Sequence, residues 1–482
     1  MKSIKMNMLN RCRFLLACYM ASFLFLPLLS LAEQKSKVVH KDINSDDLHK
    51  GIAMLNTSLS YYFTSDFSAM HRFYNPFTKL KSQEKASVWM YTSAIESVNL
   101  ILKSLQHQSK KQDSTIINYE DLLKKLYDNA DFYLGTFELT SFTQTQNWSV
   151  YAVDRVNEKG KAKVTGVYNV YDDQMWLIRE LLESFQLTKN KRYLDKAEYL
   201  TQYVLDGWDA TRDANGEENG GILWGPGYVT KHACSNGPMI SPLVWLAQIY
   251  SSSKEKITHN YIDAKDKKTR KSKRVLKKEY YLNFAKKIYD WQKKHLLNSN
   301  GVYADMMGDC YPNCNIIYEE VAGVKYRAHT ALLKPTGRAF TYNSGTMISG
   351  AADLYKKTKN KKYLIEAKQL AKASFAHFAL QGKQVSGYYS FPYDGFSNWF
   401  NTVLLRGYID LVSIDTSVGP YIEEFRKTLN YAYTNYNKEG LIPANLLGGW
   451  NNNSSKNNIE GMFMFSFASQ WALFDQYLVQ KK

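Results

Sequence analysis

Several things are scarce in this 482-residue chain, and each scarcity narrows its reading. After the N-terminus no stretch is long and apolar enough to span a bilayer, so a multi-span membrane protein is excluded. No Pro/Gly/Ser-rich linker interrupts the aromatic-rich segments between about Asp46 and Tyr477, so one large domain is expected although the length alone allows more. Strictly alternating apolar and polar runs are rare, which argues against a sheet-built core. Cysteines number only five, and no histidine stands at zinc-ligand spacing from Cys310 and Cys314. No recognisable nucleic-acid motif accompanies the formal net charge of +17.

What is present begins with a targeting pattern. Lys2, Lys5, Arg11 and Arg13 precede the apolar run Tyr19 to Leu29, and Ser30-Leu31-Ala32 supplies small residues for cleavage. Residues 1–32 therefore read as a signal peptide, followed by a short linker at 33–45, and the mature chain is expected in the periplasm or outside the cell. An uncleaved anchor is disfavoured because the run is short. Leu15-Leu16-Ala17-Cys18 resembles a lipobox, but only Phe14 to Ala17 is apolar before that cysteine. Removing four positive charges leaves +13, much of it in the run from Lys265 to Lys278. In an exported chain without nucleic-acid motifs, that run reads as a solvated loop inserted near 254–278, with contact to an anionic glycan left open. Cys234, Cys310 and Cys314 remain after cleavage. The GDCYPNC segment places a turn between Cys310 and Cys314, predicting a small loop disulfide with Cys234 free and buried.

Apolar residues recur at helical spacing, and a phrase recurs with them. YLDKA at Tyr193, YLNFA at Tyr281 and YLIEA at Tyr363 each open a helix, the first and third after the near-identical turns LTKNKRYL and KTKNKKYL. A helix, a polar turn and a second helix make one hairpin unit. Six such pairs are predicted, with first helices at 46–64, 118–134, 191–208, 279–297, 361–379 and 418–437. Their partners are placed at 86–107, 171–187, 237–252, 344–357, 396–413 and 461–478. The second set is poorer in charge and richer in Gly, Ala, Ser and aromatics, as inner helices should be. The predicted fold is all-α, an (α/α)6 toroid spanning 46–482, with an extended ligand at its concave centre. An open helical array is the alternative, and would lack contacts between the first and last pairs.

At the start of the second inner helix stand Asp172 and Asp173, within YNVYDDQMW. Adjacent carboxylates repel, so one resists ionisation more than the other. Glycoside hydrolysis requires that asymmetry, one ionised carboxylate and one protonated acid beside the same bond. The competing explanation is plain helix capping.

These segments resemble glycoside hydrolase family 76, the endo-α-1,6-mannanase family, in order and spacing from about Trp89 to Tyr477. YDDQMW at 171–176 looks like its catalytic Tyr-Asp-Asp segment. GGILW at 220–224 followed by KHACSNGP at 231–238 is similar to a second family block. Tyr289-Asp290-Trp291 and TYNSGT at 341–346 match two more, the latter with Ser344 where the family has Gln. The resemblance implies a retaining mechanism with Asp172 as nucleophile and Asp173 as general acid/base, acting on α-mannan without metal or cofactor.

Sugar contacts are expected from Tyr171, Trp224, Lys231, Asn236, Asn343 and Trp399, with Tyr228 and Trp450 as further aromatic candidates. Lys231 is a candidate partner for Asp172 or Asp173. Arg406 is read as a buried ion-pair partner. A monomer is expected, with no nucleic-acid partner. Two other function classes stay open at this point: another toroid enzyme such as an unsaturated glucuronyl hydrolase, and a non-catalytic glycan-binding protein.

Overall fold

A computed structural model describes residues 45–108 and 114–481. The proposed signal peptide and all of the linker but Ser45 lie outside the described residues. Twelve α-helices form the frame among the described residues. In chain order they are α1 (Asp46–Tyr62), α2 (Val88–Gln108), α3 (Ser114–Ala130), α4 (Tyr171–Thr188), α5 (Lys191–Asp206) and α6 (Ile240–Ile249). The second half supplies α7 (Lys277–Leu296), α8 (Thr341–Thr358), α9 (Lys361–Phe378), α10 (Ser397–Val412), α11 (Gly419–Tyr436) and α12 (Gly461–Lys481).

The repeated turns fold alike for a local reason. Lys189 and Lys359 end α4 and α8 in the left-handed region, at φ 59° and 58°. The next residue caps the following helix: Asn190 Oδ1 accepts from Arg192 N at 3.1 Å, and Asn360 Oδ1 from Lys362 N at 3.0 Å. Each cap satisfies one of the amides that a helix start leaves free. The spacing of the repeat therefore marks true helix boundaries.

Even-numbered helices are the more deeply buried set. Each packs against the next, from α2 through α4, α6, α8 and α10 to α12, and α12 packs back on α2 and on α1. Small residues set the closest approach: a Cβ on Gly345 would lie 2.4 Å from the Val403 carbonyl, and one on Gly407 2.7 Å from that of Gly345. Chain ends are tied across the same seam. Arg426 Nε donates to Asp47 Oδ2 at 2.8 Å, Arg72 Nε to Glu460 Oε1 at 2.7 Å, and Phe73–Tyr74 pairs with Ile459–Glu460.

Two expectations are corrected. The third helix begins and ends four residues earlier than periodicity suggested, because Asp131–Tyr133 forms a 3-10 turn leading into a strand. The connections also contain β-structure that the scarcity of alternation did not announce. Leu134–Thr140 pairs with Thr145–Tyr151, Tyr318–Val321 with Val324–Arg327, and Met306–Tyr311 bridges Lys231–His232 and Ala331–Thr336. The basic insertion is itself an antiparallel hairpin, Lys256–Ile262 with Arg270–Leu276, rather than an irregular loop. Such hairpins are held by their own cross-strand bonds and edge contacts, so they need no continuous apolar face. Cys310 and Cys314 form the expected disulfide, and Cys234 is free and buried.

Candidate active site

The chain enters α4 in an extended conformation at Val170, φ −126° and ψ 147°, whose side chain makes no capping bond. Neither aspartate is therefore the N-cap residue, although both stand in the first turn, where the free amides reach Asp172. Three contacts hold the entry. Tyr171 N donates to Trp224 O at 2.8 Å, Asn169 Nδ2 donates to Tyr203 Oη at 2.6 Å, and Gly225 passes so close that a Cβ there would lie 2.5 Å from Asn169 O. The Trp224 loop is thus tied to the turn that carries Asp172 and Asp173.

The two carboxyls share one physical setting with one difference. Burial raises the affinity of both for protons. Around Asp172 that effect is opposed by the Cys234 thiol, by the free amides of the first helical turn and by the Trp224 indole. Asp173 has no such opposition and also feels the charges of Asp172 and Asp154, so its carboxyl is driven well above the usual range. The arrangement favours an ionised Asp172 beside a protonated Asp173.

Three residues beside Asp172 were not singled out as site residues. Cys234 faces the Asp172 carboxylate, and Tyr342 and Asp305 lie beyond it. Tyr342 Oη donates to Asp305 Oδ1 at 3.5 Å, and burial lifts the Asp305 carboxyl to about 6. Tyr342 sits inside a segment the sequence did mark, TYNSGT. Asp305 stands alone in its segment, and only the pairing of Lys231–His232 with Met306–Met307 brings it near.

The expected sugar-contacting residues divide. Trp224 is half-buried, stacked on His232 at 4.7 Å and packed on Tyr228 at 4.4 Å, so it and Tyr228 present partly open rings beside Asp172. Tyr171 is buried, with its ring against Tyr203 at 5.0 Å and against Gly207. It positions the turn. Asn343, buried in the first turn of α8, donates to Ala304 O at 3.4 Å and keeps Oδ1 without a partner.

Others take up different work. Lys231 pairs with Asp209 instead of either catalytic candidate, donating to Asp209 Oδ2 at 2.8 Å and to Gly220 O at 2.6 Å. Both members of that pair are buried. Asn236 uses both ends of its amide on backbone, accepting from Ile222 N at 2.8 Å and donating to Ile222 O and His232 O. It clamps the Gly220–Trp224 segment and has no free donor geometry for a hydroxyl. Trp399 is 2 % exposed, edge-on to Trp176 and Trp89, with Nε1 donating to Glu96. A side chain so enclosed packs the core. Arg406 forms the expected buried ion pair, with Glu96 as partner. Trp450 donates from Nε1 to Tyr436 O and packs on Phe77.

Known proteins share this fold. The chain resembles, in structure, the family 76 mannosidase Bt3792 of Bacteroides thetaiotaomicron VPI-5482, with a TM-score of 0.66, 19 % identity, and coverage of 91 % of this chain and 100 % of that one. It is also similar to an inactive alpha-1,6-mannanase variant of Salegentibacter sp. HEL1_6, two consecutive Asp replaced by Asn, in complex with alpha-1,6-mannotriose. That match has a TM-score of 0.58 at 16 % identity, covering 90 % of this chain and all of the other. An unsaturated glucuronyl hydrolase specific for heparin matches at 12 % identity with a TM-score of 0.52, over 90 % of this chain and 97 % of that one. Comparison with curated proteins finds no match. The model of glycosyl hydrolase family 76 matches residues 140–256 and 273–463, spanning the Asp172–Asp173 turn, the Trp224 loop and the helices from α4 to α11. The protein is a glycoside hydrolase, and the chain belongs to glycosyl hydrolase family 76.

Proposed function

We propose that this hydrolase cleaves α-1,6-mannosidic bonds within mannan chains with retention of configuration. The observation that carries the reading is the split environment of Asp172 and Asp173 on one helical turn. In the first step Asp172 attacks the anomeric carbon while Asp173 gives its proton to the departing glycosidic oxygen. In the second, Asp173 takes a proton from water, and the resulting hydroxide displaces Asp172 from the anomeric carbon. Trp224 and Tyr228 offer ring faces for the sugar beside the nucleophile. Structural relatives support the substrate: one is a mannosidase, and another, inactive with two consecutive Asp replaced, holds mannotriose.

The closed circuit of even-numbered helices, with α12 returning to α2, supports an (α/α)6 toroid. Among the described residues no helix is long and apolar enough to cross a membrane. The Cys310–Cys314 disulfide suits an oxidising compartment and supports export. Incubation with linear α-1,6-mannan, read by chromatography and by NMR of the first-formed anomers, tests the function. Short oligosaccharides of retained configuration are expected. No product from any mannan would refute the substrate, and inverted anomers would refute the role of Asp172.

A further inference from the structure

Residues 257–272, most of the basic hairpin, fall between the two stretches matched by the family. From Lys254 to Lys278 the chain carries eleven Lys or Arg against three Asp or Glu. Some of these cations fasten the hairpin to the body. Lys277 pairs with Glu198 at 3.0 Å where the arms join α6 to α7, at the helix ends remote from Asp172. The arms then run beside α7, with the His259 ring against Tyr280 and Phe284 at 5.4 and 5.7 Å. Farther along, Arg212 Nε and Nη2 donate to Ile262 O at 2.9 and 2.8 Å, and Arg270 Nη2 donates to Glu319 Oε1 at 2.6 Å. Arg212 stands in the connection that carries Trp224. Glu319 belongs to the strand pair whose Arg327 donates to Pro226 O at 2.9 Å and to Tyr228 O. The hairpin tip, residues 263–269, therefore lies at the Asp172 end of the molecule, beside the loops that flank the two carboxyls.

The tip is a built turn. Asp263 N donates to Thr269 O and Lys267 N to Asp263 O, both at 2.9 Å. Asp266 Oδ1 accepts from Lys268 N at 2.9 Å and from Thr269 N at 2.8 Å. Its two acids thus shape the backbone, and Asp263 also pairs with Lys271. Lys256, Lys265, Lys268 and Lys273 are exposed and form no ion pair among the described residues. Lys267 Nζ donates to the neutral Ala214 O and Arg274 Nη2 to Lys256 O at 2.8 Å, so their charges are uncompensated as well. An exposed lysine holds one small anion weakly, because water and salt compete for both. Cations fixed along one ladder hold a polymer with repeated charges better, since each contact brings the next within reach. A preformed ladder also spares the cost of ordering the surface on binding. The tip has no aromatic or large apolar side chain to stack on bases or to enter a bilayer. A hydroxyl-rich chain held through its charges suits that composition, and the neighbouring loops belong to a glycoside hydrolase.

We propose that this hairpin is a docking surface for anionic polysaccharide, a sugar chain bearing phosphate or carboxylate groups, at the rim beside Asp172 and Asp173. It uses neither aspartate, and only the choice of mannan as one probe backbone rests on the proposed function. The probes are linear α-1,6-mannan, the same mannan after chemical phosphorylation, and polygalacturonate beside its neutral methyl ester. Each is titrated calorimetrically into the full chain carrying Asp172→Asn and Asp173→Asn. The titrations are repeated after adding Lys256→Gln, Lys265→Gln, Lys268→Gln and Lys273→Gln, and separately after Lys→Arg at the same four positions. At least one charged probe is expected to bind about tenfold tighter than its neutral parent. That preference should vanish in the Gln chain and persist in the Arg chain, with the melting temperature kept in both. Raising salt from about 0.05 to about 0.5 M should erase it, as screening shortens the reach of the charges. The inference is overturned by no preference for either charged probe, or by one that survives the Gln changes, survives the salt or is lost in the Arg chain. Binding to phosphatidylglycerol vesicles in place of both charged glycans overturns it in favour of a membrane surface. Hydrolysis by the chain with native aspartates is assayed separately. Absence of mannan cleavage with the lysine-dependent preference retained would refute the proposed function and leave the inference standing.

Discussion

Asp172 and Asp209 are both aspartates taken out of water near the same Gly220–Trp224 segment, yet their carboxyls are driven in opposite directions. Burial is the first effect at each, and by itself it favours the protonated acid. Asp209 escapes this because Lys231 Nζ lies 2.8 Å away and His329 Nδ1 2.7 Å away, with Thr211 N donating as well. Its carboxyl is held far below the usual range. Asp172 meets only neutral donors and a neighbouring acid, so its carboxyl moves up. The difference teaches that cationic partners make a structural carboxylate, whereas their exclusion keeps a carboxyl pair poised for proton transfer.

Breaking the Asp172 side of this comparison should have the largest effect. Asp172→Asn or Asp173→Asn should lower kcat on mannan on the order of 10⁴-fold, because each removes one half of a pair that acts as a unit. Circular dichroism should show the fold retained. Near-normal turnover in both variants would remove the pair from the mechanism.

Breaking the structural side should act on stability. Lys231→Met leaves the buried Asp209 with His329 as its one remaining ring partner and should cost up to about 3–5 kcal/mol in denaturant unfolding. Adding Asp209→Asn should recover part of that loss, and a double variant no better than the single would deny the pairing its importance. The pH dependence has a definite sign. With its folded value depressed, Asp209 contributes stability above its unfolded value, near 3.9, and that contribution is lost as pH falls toward the folded value.

Asp172 and Asp173 should behave in the opposite sense. Raised folded values mean that the unfolded state ionises more easily, so the pair weakens the fold increasingly as pH rises above about 4. The doubly substituted Asn chain should therefore melt higher than the native chain at pH 7. At pH 4 the gain should shrink, at about 1.4 kcal/mol for each unit of raised affinity no longer expressed. An equal gain at both values would argue against the raised carboxyls.

The smallest effect is expected at Trp224. Trp224→Phe keeps a ring against His232 but removes the indole donor beside Asp172, so the acidic limb of the pH–rate profile should move upward. The maximal rate should fall by no more than about tenfold, as befits the loss of one hydrogen-bonding group. An unmoved acidic limb would show that the indole does not tune Asp172.

Much of this frame was legible from residue order. LTKNKRYL and KTKNKKYL marked helix ends because a left-handed residue and an Asn cap are decisions made within a few residues. The position of Asp172-Asp173 at a helix start followed from the same local logic, as did a disulfide across four residues. Partner choice was not legible. Lys231 meets Asp209 across 22 positions, Trp399 meets Glu96 across 303, and nothing in the neighbourhood of either residue names its partner. Asn236 looked available for a hydroxyl, but the path of Gly220–Trp224 consumes its amide. The hairpin at 256–276 read as a solvated charge run because its weak alternation hides the inward-facing Thr258, His259 and Asn260.

The sequence by itself determined the helical pairs, their turns and the helix start that carries two acids, since each rests on short-range backbone geometry. Tertiary structure alone decided which buried charge is neutralised and which is left poised, because that depends on cations and dipoles that approach through space from distant segments.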